Sequence, residues 1–387
     1  MAIPLRYNLR SLRVRWHSTL ATMLGIALVV LVFILVRALA HGIESTYINT
    51  GDERNLIILR KGSTAESSSQ ISRDEARRVK YLDGIARNDR DEPLASAEMI
   101  VLILLDRING SGSANVLVRG VSDVAMELRP QIKITEGRML QPGLHECLVS
   151  RRIADRFAHC RVGDSFQSGR ITWHVVGVFD AQRTAYESEI WVDVDEARSS
   201  FKRDFYGSVL LRPVDSATAE QVKQRILTDK LLTLKVVSET DYYREQTQSA
   251  ELFRFLASFL AVIMSIGAAF AAMNTMYAAV GARTREIGTL RVLGFRRSQI
   301  YVSFLLESVV LALLGGVVGC VISLPLNLLS SGTFSQTTFA EVAFQFRVTP
   351  LMMAKGIAFA LVMGVLGGLL PARLAARKPV LDALRAV

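Results

Sequence analysis

Four stretches of this chain, Leu20–Val36, Phe255–Val280, Tyr301–Leu329 and Leu351–Leu370, are almost continuously apolar. About 20 such residues, at 1.5 Å rise each, cover the roughly 30 Å hydrocarbon core of a bilayer. Inside that core only a helix satisfies every backbone N–H and C=O within one segment. The pattern therefore predicts four transmembrane helices. Half of the residues are hydrophobic, an average that many soluble proteins reach, so the clustering and not the composition carries the argument. The first run follows basic residues, as the core of a secretory signal would, but a cleavable signal has an apolar core of only about 7–15 residues. Here the run is longer and ends in Arg37-Ala38-Leu39-Ala40-His41-Gly42, without a convincing cleavage site. It reads as a retained anchor.

A formal net charge of +10 raises nucleic-acid binding, which the positions of the charges argue against. Arg6, Arg10, Arg13 and Arg15 precede the first helix, and Arg283, Arg285, Arg291, Arg296 and Arg297 lie between the second and third. Arg373, Arg377, Lys378 and Arg385 follow the fourth, while the loop between the third and fourth sets Arg347 against Glu341. Lys and Arg mark cytoplasmic flanks. Both termini and the segment between the second and third helices are therefore expected in the cytoplasm, with the long insertion on the far side.

The expected organisation begins with a cytoplasmic amphipathic helix over 1–17, where Leu5, Leu9, Leu12 and Trp16 recur at helical spacing between arginines. Transmembrane helices follow over 18–42, 253–280, 300–329 and 351–371. Between them lie an external domain over 43–250, a cytoplasmic segment over 281–299 and an external loop over 330–350, and a cytoplasmic tail closes the chain over 372–387. The fold class is an α-helical membrane protein with four transmembrane helices plus an α/β extracytoplasmic domain on helical stalks.

Within the external domain, Asn55–Lys61 reads as a strand, Ser72–Leu82 as a helix with a Ser72/Glu75 capping box, and Met99–Asp106 as a strand. The order recurs as Ser208–Arg212, Ala217–Thr228 and Leu234–Ser238. Two β-α-β units thus bracket a β-rich insertion at about 127–195, with strand signals at Cys147–Ser150, Thr172–Phe179 and Glu189–Val192. Ser63–Gln70 reads as a mobile serine-rich loop. From about Asp241 a polar lead-in, including the stalk helix 241–252, would extend the second membrane helix to some 40 residues. His41–Asn49 could extend the first in the same way. Cys147 and Cys160 both fall in the external domain, where a disulfide or two free thiols are open alternatives. Cys320, in the third helix, reads as a small packing residue.

No G-x-x-x-x-G-K-[ST], H-E-x-x-H, G-x-S-x-G or C-x-x-C occurs, and the histidines His17, His41, His145, His159 and His174 are scattered. No catalytic or metal site is expected. The informative stretch runs from Arg283 to Ile300, between the second and third helices. There Ile287, Leu290, Val292 and Leu293 could form an apolar ridge, Glu286 and Arg291 offer charge, and Gly288 and Gly294 permit close approach or a break. On the residues alone, a helix that enters a partner's groove and an ordinary basic loop remain open. Glu307 is an ionisable group inside an apolar helix, costly unless paired or near an interface. An internal ion pair or snorkelling is the simpler reading, and substrate or proton handling the alternative. Gly315, Gly316 and Gly319 on the third helix, and Gly364, Gly367 and Gly368 on the fourth, form faces suited to close helix packing.

The stretch Thr284–Gly294, with Gln299-Ile300, resembles the coupling-helix motif T-R-E-I-G-x-L-R-x-L-G-x-x-x-x-Q-I of the MacB/FtsX-like (type VII ABC) permeases. Leu306-Glu307-Ser308, Gly315-Gly316-x-x-Gly319 and Leu370-Pro371-Ala372-Arg373 continue the likeness, as do Val118-Arg119-Gly120-Val121, Glu136-Gly137-Arg138, Val162-Gly163-Asp164 and Val175–Phe179 in the external domain. The resemblance implies a non-catalytic permease subunit of a bacterial inner membrane, with a periplasmic α/β domain. It implies a dimer with a second copy or a related permease, and an ABC ATPase partner on a separate chain that binds ATP and Mg. Coupling would fall to Arg285, Glu286, Ile287, Gly288, Leu290, Arg291, Leu293 and Gly294. ATP-driven closure would move stalks and periplasmic domains (mechanotransmission) to export or extract a lipoprotein, lipid, peptide or drug, with a periplasmic adaptor or carrier beside it. The alternative is a regulatory complex that controls an envelope enzyme or senses a ligand without transport.

Overall fold

In a computed structural model the described residues are 16–108, 110, 112–168, 171–328, 330–334 and 340–378. The amphipathic helix expected over 1–17 lies outside them except for Trp16 and His17, as does the tail beyond Lys378. The chain opens with helix α1 (Trp16–Ile48), strand β1 (Leu56–Arg60), α2 (Arg73–Lys80), β2 (Ala95–Asp106) and β3 (Ser113–Val121). There follow α3 (Ala125–Leu128), β4 (Lys133–Gly137), β5 (Glu146–Ser150), α4 (Arg151–Arg156), β6 (Ser165–Ser168), β7 (Ile171–Asp180) and β8 (Glu189–Asp193). Next come α5 (Val194–Ser200), β9 (Ser208–Leu211), α6 (Ser216–Thr228), β10 (Leu234–Ser238) and α7 (Glu239–Glu245). The last elements are α8 (Gln248–Ala282), α9 (Thr284–Val292), α10 (Arg297–Ser323), β11 (Ser330–Phe334), β12 (Glu341–Gln345) and α11 (Pro350–Arg377). They form two compact units: an α/β unit of Gly42–Ala250 with Ser330–Phe344, and a helical unit of Met1–His41, Glu251–Leu329 and Gln345–Val387.

The α/β unit is built on a ten-stranded sheet in the order β10-β1-β9-β2-β3-β8-β5-β7-β4, with β6 paired to β7. The β3/β8 and β5/β7 pairs are parallel. Alternation drives strand formation: in β7, Trp173 and Val175 are buried while Thr172 and His174 face out. Local chemistry sets the helix starts. Ser72 Oγ accepts from Glu75 N–H, and Ser72 N–H donates to Glu75 at 2.9 Å, the reciprocal pair of a capping box. Asp215 caps α6 through Thr218 N–H at 2.7 Å. Val79 of α2 with Val222 and Ile226 of α6 then cover Ile58, Val209 and Leu211. On the other half of the sheet Val101, Val118, Trp173, Val178 and Ile190 share a second core. At Gly137, φ is +76° and a Cβ would stand 2.2 Å from Val176 O, so the β4–β7 pairing admits only glycine there.

A buried ionic cluster joins the two halves. Arg119, on β3, donates through Nε and Nη2 to Glu189 (2.7 and 2.9 Å), through Nη1 to Glu98 (2.8 Å), and through Nη1 and Nη2 to Glu66 (2.9 and 3.1 Å). Arg129 grips Glu98 with both Nη atoms at 2.7 Å and lies 4.9 Å from the Tyr186 ring centroid. Ser208 Oγ donates to Glu66 at 2.6 Å, and Trp191 Nε1 to Glu189 at 3.0 Å. Nearby, Glu239 accepts from Asp52 N–H, Asn55 Nδ2 and Tyr186 Oη, tying the start of α7 to the segment that follows α1.

Several expectations need correction. Ser63–Gln70 is no mobile loop: Ala65, Glu66 and Ser69 are buried, because Glu66 is drawn onto Arg119. Of the two alternatives left open for Cys147 and Cys160, the structure has the free thiols, both in the apolar core; burial pushes both up, Cys160 to about 12. The 40-residue helix expected from Asp241 is two helices, because Thr247 Oγ1 turns back onto Arg244 O at 2.7 Å and closes α7 before α8 begins. Glu341 pairs with Arg107 and Arg156, a contact the charge count of the loop did not address. Strands β3, β4 and β6 and the β11–β12 pair were not expected at all.

Removing one member of a buried ion cluster leaves uncompensated charge, which costs about 3–5 kcal/mol. Arg119→Leu is therefore expected to lower the unfolding free energy by that much, read from urea curves followed by fluorescence of Trp173 and Trp191, the tryptophans of the α/β unit. Burial alone would raise the Glu98 carboxyl, but Arg129 and Arg119 outweigh it and hold it below its ordinary 4.5. Below 4.5 the unfolded carboxylate takes a proton before the folded one does, so stability is full above that pH and is lost as pH falls through the folded value. Glu98→Gln should remove that acid limb while lowering stability at neutral pH, read from unfolding curves between pH 3 and 7.

Candidate functional site

Helix α9 is shaped by its own sequence and held by three neighbouring helices. At its C-terminus Gly294 takes φ +91°. Phe295 N–H donates to Leu290 O at 3.1 Å, and Gly294 N–H to Arg291 O at 3.2 Å. These 6→1 and 5→2 bonds are the Schellman closure, which favours glycine at the left-handed position. Nothing lies within 4 Å of a Cβ built on Gly294, so conformation and not space requires this glycine. Arg291 Nη1 donates to Phe295 O at 3.1 Å and braces the same turn. Gln299 Oε1 accepts from Arg296 N–H at 2.8 Å and caps the start of α10.

The anchorage is apolar and ionic together. Ile287 is 2% exposed and packs in a cluster with Met276 and Val280 of α8, Ile300 and Phe304 of α10, and Ala372 of α11. Arg283 Nη1 donates to Glu307 at 3.0 Å, with both side chains buried. Lys378 Nζ donates to Thr284 Oγ1 at 2.6 Å. The apolar ridge expected over Ile287, Leu290, Val292 and Leu293 is thus interrupted: Ile287 faces inward and Leu290 is half-buried. Gly288 is buried and Arg291 half-buried, while Arg285, Glu286 and Thr289 are exposed beside Val292 (63%) and Leu293 (69%).

The glycine faces meet their neighbours closely. A methyl group on Gly315 would stand 2.8 Å from Met23 O, and one on Gly319 2.6 Å from Ala27 O, both on α1. One on Gly316 would stand 2.8 Å from Ala360 Cβ, and on Gly364 2.5 Å from Ala312 Cβ, between α10 and α11. Gly368 lies against Ser308, and Gly367 against Ala272 of α8. Cys320 packs at the α1–α10–α11 contact. The role of Arg283 was missed at the level of sequence, although a signal existed: a carboxylate in an apolar helix requires a partner, and Arg283 is a nearby arginine beside such a run.

Among the described residues four helices are long and apolar enough to cross a membrane: Thr19–Ile48, Ser258–Ala282, Arg297–Leu328 and Pro350–Arg377. With the α/β unit inserted between the first two and a short anchored helix between the second and third, this is the layout of a permease. Residues 18–228 match the MacB-like periplasmic core domain, and residues 258–380 the FtsX-like permease C-terminal domain. The chain belongs to the MacB/FtsX-like permease family. It is 30% identical over 233 residues to the macrolide export ATP-binding/permease protein MacB of Hahella chejuensis, covering 58% of this chain and 35% of that one. It is 29% identical over 292 residues to MacB 1 of Yersinia pestis, covering 69% and 43%. The chain thus spans well under half the length of these curated relatives. Among solved structures it is similar to the extracellular domain of the noncanonic ABC-type transporter YknZ (14% identity, 48% of this chain, 100% of that one, TM-score 0.37). It is also similar to the periplasmic region of MacB from Actinobacillus actinomycetemcomitans (13%, 50% and 92%, TM-score 0.39). The family assignment rests on the sequence matches.

Glu307→Ala would remove the buried carboxylate that Arg283 Nη1 meets at 3.0 Å and leave the guanidinium only the exposed Glu286 at 4.0 Å among its ion pairs with described residues, at a cost of up to about 3–5 kcal/mol. It is expected to lower the melting temperature of the detergent-solubilised chain and to open the α8–α9 junction to protease. The exchange Arg283→Glu with Glu307→Arg should recover much of the loss.

Proposed function

We propose that this chain is the transmembrane permease subunit of a bacterial ABC transporter, in which α9 receives the stroke of a partner ATPase and transmits it to the α/β unit. Family membership with a rigidly held α9 is the observation that carries this reading. A coupling element must be stiff toward its own subunit and apolar toward its partner. Helix α9 is fixed by Ile287, the Arg283–Glu307 pair and the Gly294 turn, and it offers Val292 and Leu293 with Arg285 and Glu286 beside them. Gly288, Leu290, Arg291 and Gly294 then act by shaping and seating the helix, and Arg285, Glu286, Val292 and Leu293 by contact.

In this reading the four apolar helices cross the inner membrane, with both termini and α9 in the cytoplasm and the α/β unit in the periplasm. Two of the basic clusters adjoin in the helical unit, Lys378 against Thr284, which supports a common cytoplasmic face. The partner ATPase binds ATP and Mg and performs hydrolysis, and a second permease copy or a related chain completes the complex. The relatives' names carry macrolide export. We infer that this complex exports or extracts a hydrophobic or amphipathic cargo such as a drug, lipid, lipoprotein or peptide, by moving periplasmic domains and with an adaptor or carrier outside.

Each buried apolar side chain contributes about 1.5–3 kcal/mol to a contact, so losing one anchor is worth roughly tenfold or more in affinity. Gentle purification from native membranes is expected to bring down a P-loop ATPase in equal amount. Val292→Asp with Leu293→Asp should lose it while keeping the wild-type melting temperature. Retention of the ATPase by that folded variant would remove α9 from the coupling role.

A further inference from the structure

A cleft of about 1040 Å3 opens in the α/β unit between α2 on one side and α5 with its following turn on the other. Its walls are basic. Arg73, Arg77 and Lys80 come from α2, and Arg198, Lys202 and Arg203 from α5 and the turn, against only Asp74, Asp195 and Asp204. The acids are largely committed: Asp204 pairs with Arg73 and Arg198, and Asp195 with Arg198. Among the described residues Arg77, Lys80 and Lys202 have no carboxylate within ion-pair distance. Lys202 also holds a left-handed backbone, φ +51°, a conformation that a non-glycine residue adopts at a cost. At the base of the cleft, Arg198 Nε and Ser122 Oγ have hydrogen-bonding capacity that no described residue takes up. Tyr81 stands in the wall, 64% exposed, and aromatic side chains in such positions serve as anchors.

We propose that this cleft docks an acidic polypeptide segment of a partner protein. Arg73, Arg77 and Lys80 follow at i, i+4 and i+7, so their positive charges are spread over about 10 Å of one helix face. The opposite wall carries Lys202 and Arg203 in the turn that follows α5. A basic helix row facing further basic side chains matches carboxylates repeated along a chain. A single phosphate would call instead for guanidinium groups converging on one point. Charge complementarity of this kind steers encounter and sets register. The inference rests on the α/β unit alone and holds whether or not α9 meets an ATPase.

The test uses the full chain in nanodiscs of zwitterionic lipid and a fluorescein-labelled twelve-residue peptide containing six glutamates, read by fluorescence anisotropy. A peptide with glutamine at those positions serves as control. The acidic peptide should bind, weaken steeply with salt, and lose at least tenfold affinity in Arg77→Glu/Lys80→Glu/Lys202→Glu. It should bind unchanged to Lys133→Glu/Lys223→Glu/Lys230→Glu, which reverses as many charges outside the cleft. Should the cleft variant fail to fold by tryptophan fluorescence, Arg77→Gln/Lys80→Gln/Lys202→Gln decides, with a smaller loss in the same direction. Equal binding by cleft variants and wild type, equal loss in both triple variants, or no binding at all would overturn the proposal. So would cleft-dependent binding of phosphatidylglycerol vesicles with none of the peptide, which would assign the cleft to lipid headgroups.

Discussion

A guanidinium taken out of water costs several kcal/mol unless its donors all meet oxygens, and Arg119 meets that condition with three carboxylates from three different segments. Its position gives the cluster its importance. Strand β3 lies at the centre of the sheet, with β2 and the flanking strands on one side and β8 with the inserted strands on the other. Glu98 belongs to the first half and Glu189 to the second, so one side chain ties both to the same strand. The apolar cores on either side would tolerate some sliding, since apolar contact is non-directional. Five directed hydrogen bonds do not. The cluster thus contributes alignment more than net stability, because an apolar replacement of the whole set could be as stable.

The helical unit solves the same problem by other means. Its helices approach through glycine and alanine, as in the Gly364–Ala312 and Gly316–Ala360 contacts, where close backbone approach replaces a hydrophobic drive that lipid would cancel. Among the described residues its buried ion pair Arg283–Glu307 is placed at the junction with α9. The glycine-backed contacts carry a directed bond too, Ser308 Oγ donating to Gly364 O at 2.7 Å; at α9 the directed bond is ionic. In both units directed polar contacts sit where one substructure is joined to another.

What could be read from the sequence was chemistry that acts over one to four residues. Alternation in Thr172–Phe179, the Ser72–Glu75 cap and the long apolar runs all have local causes, and the corresponding elements lie within a few residues of where they were expected. The Ser63–Gln70 segment was misread because its fate depends on Arg119, 53 residues from Glu66. The short strands β4 and β6 have too few residues for a period to register. For α9 the motif was legible but its division of labour was not. Ile287 and Leu293 are equally apolar, and only the packing of α8, α10 and α11 decides that one is core and the other surface.

That division has a mechanical consequence. A push on a surface residue travels only as far as the element beneath it resists deformation, and an isolated nine-residue helix has little stability of its own. Several of the recognisable positions in this stretch, Thr284, Ile287, Gly294 and Gln299, with Arg283 before them, are used to hold the helix and its turns. The residues left facing outward are few and chemically ordinary. The signature at such a site therefore records the demands of the mounting together with three outward positions, Arg285, Glu286 and Leu293.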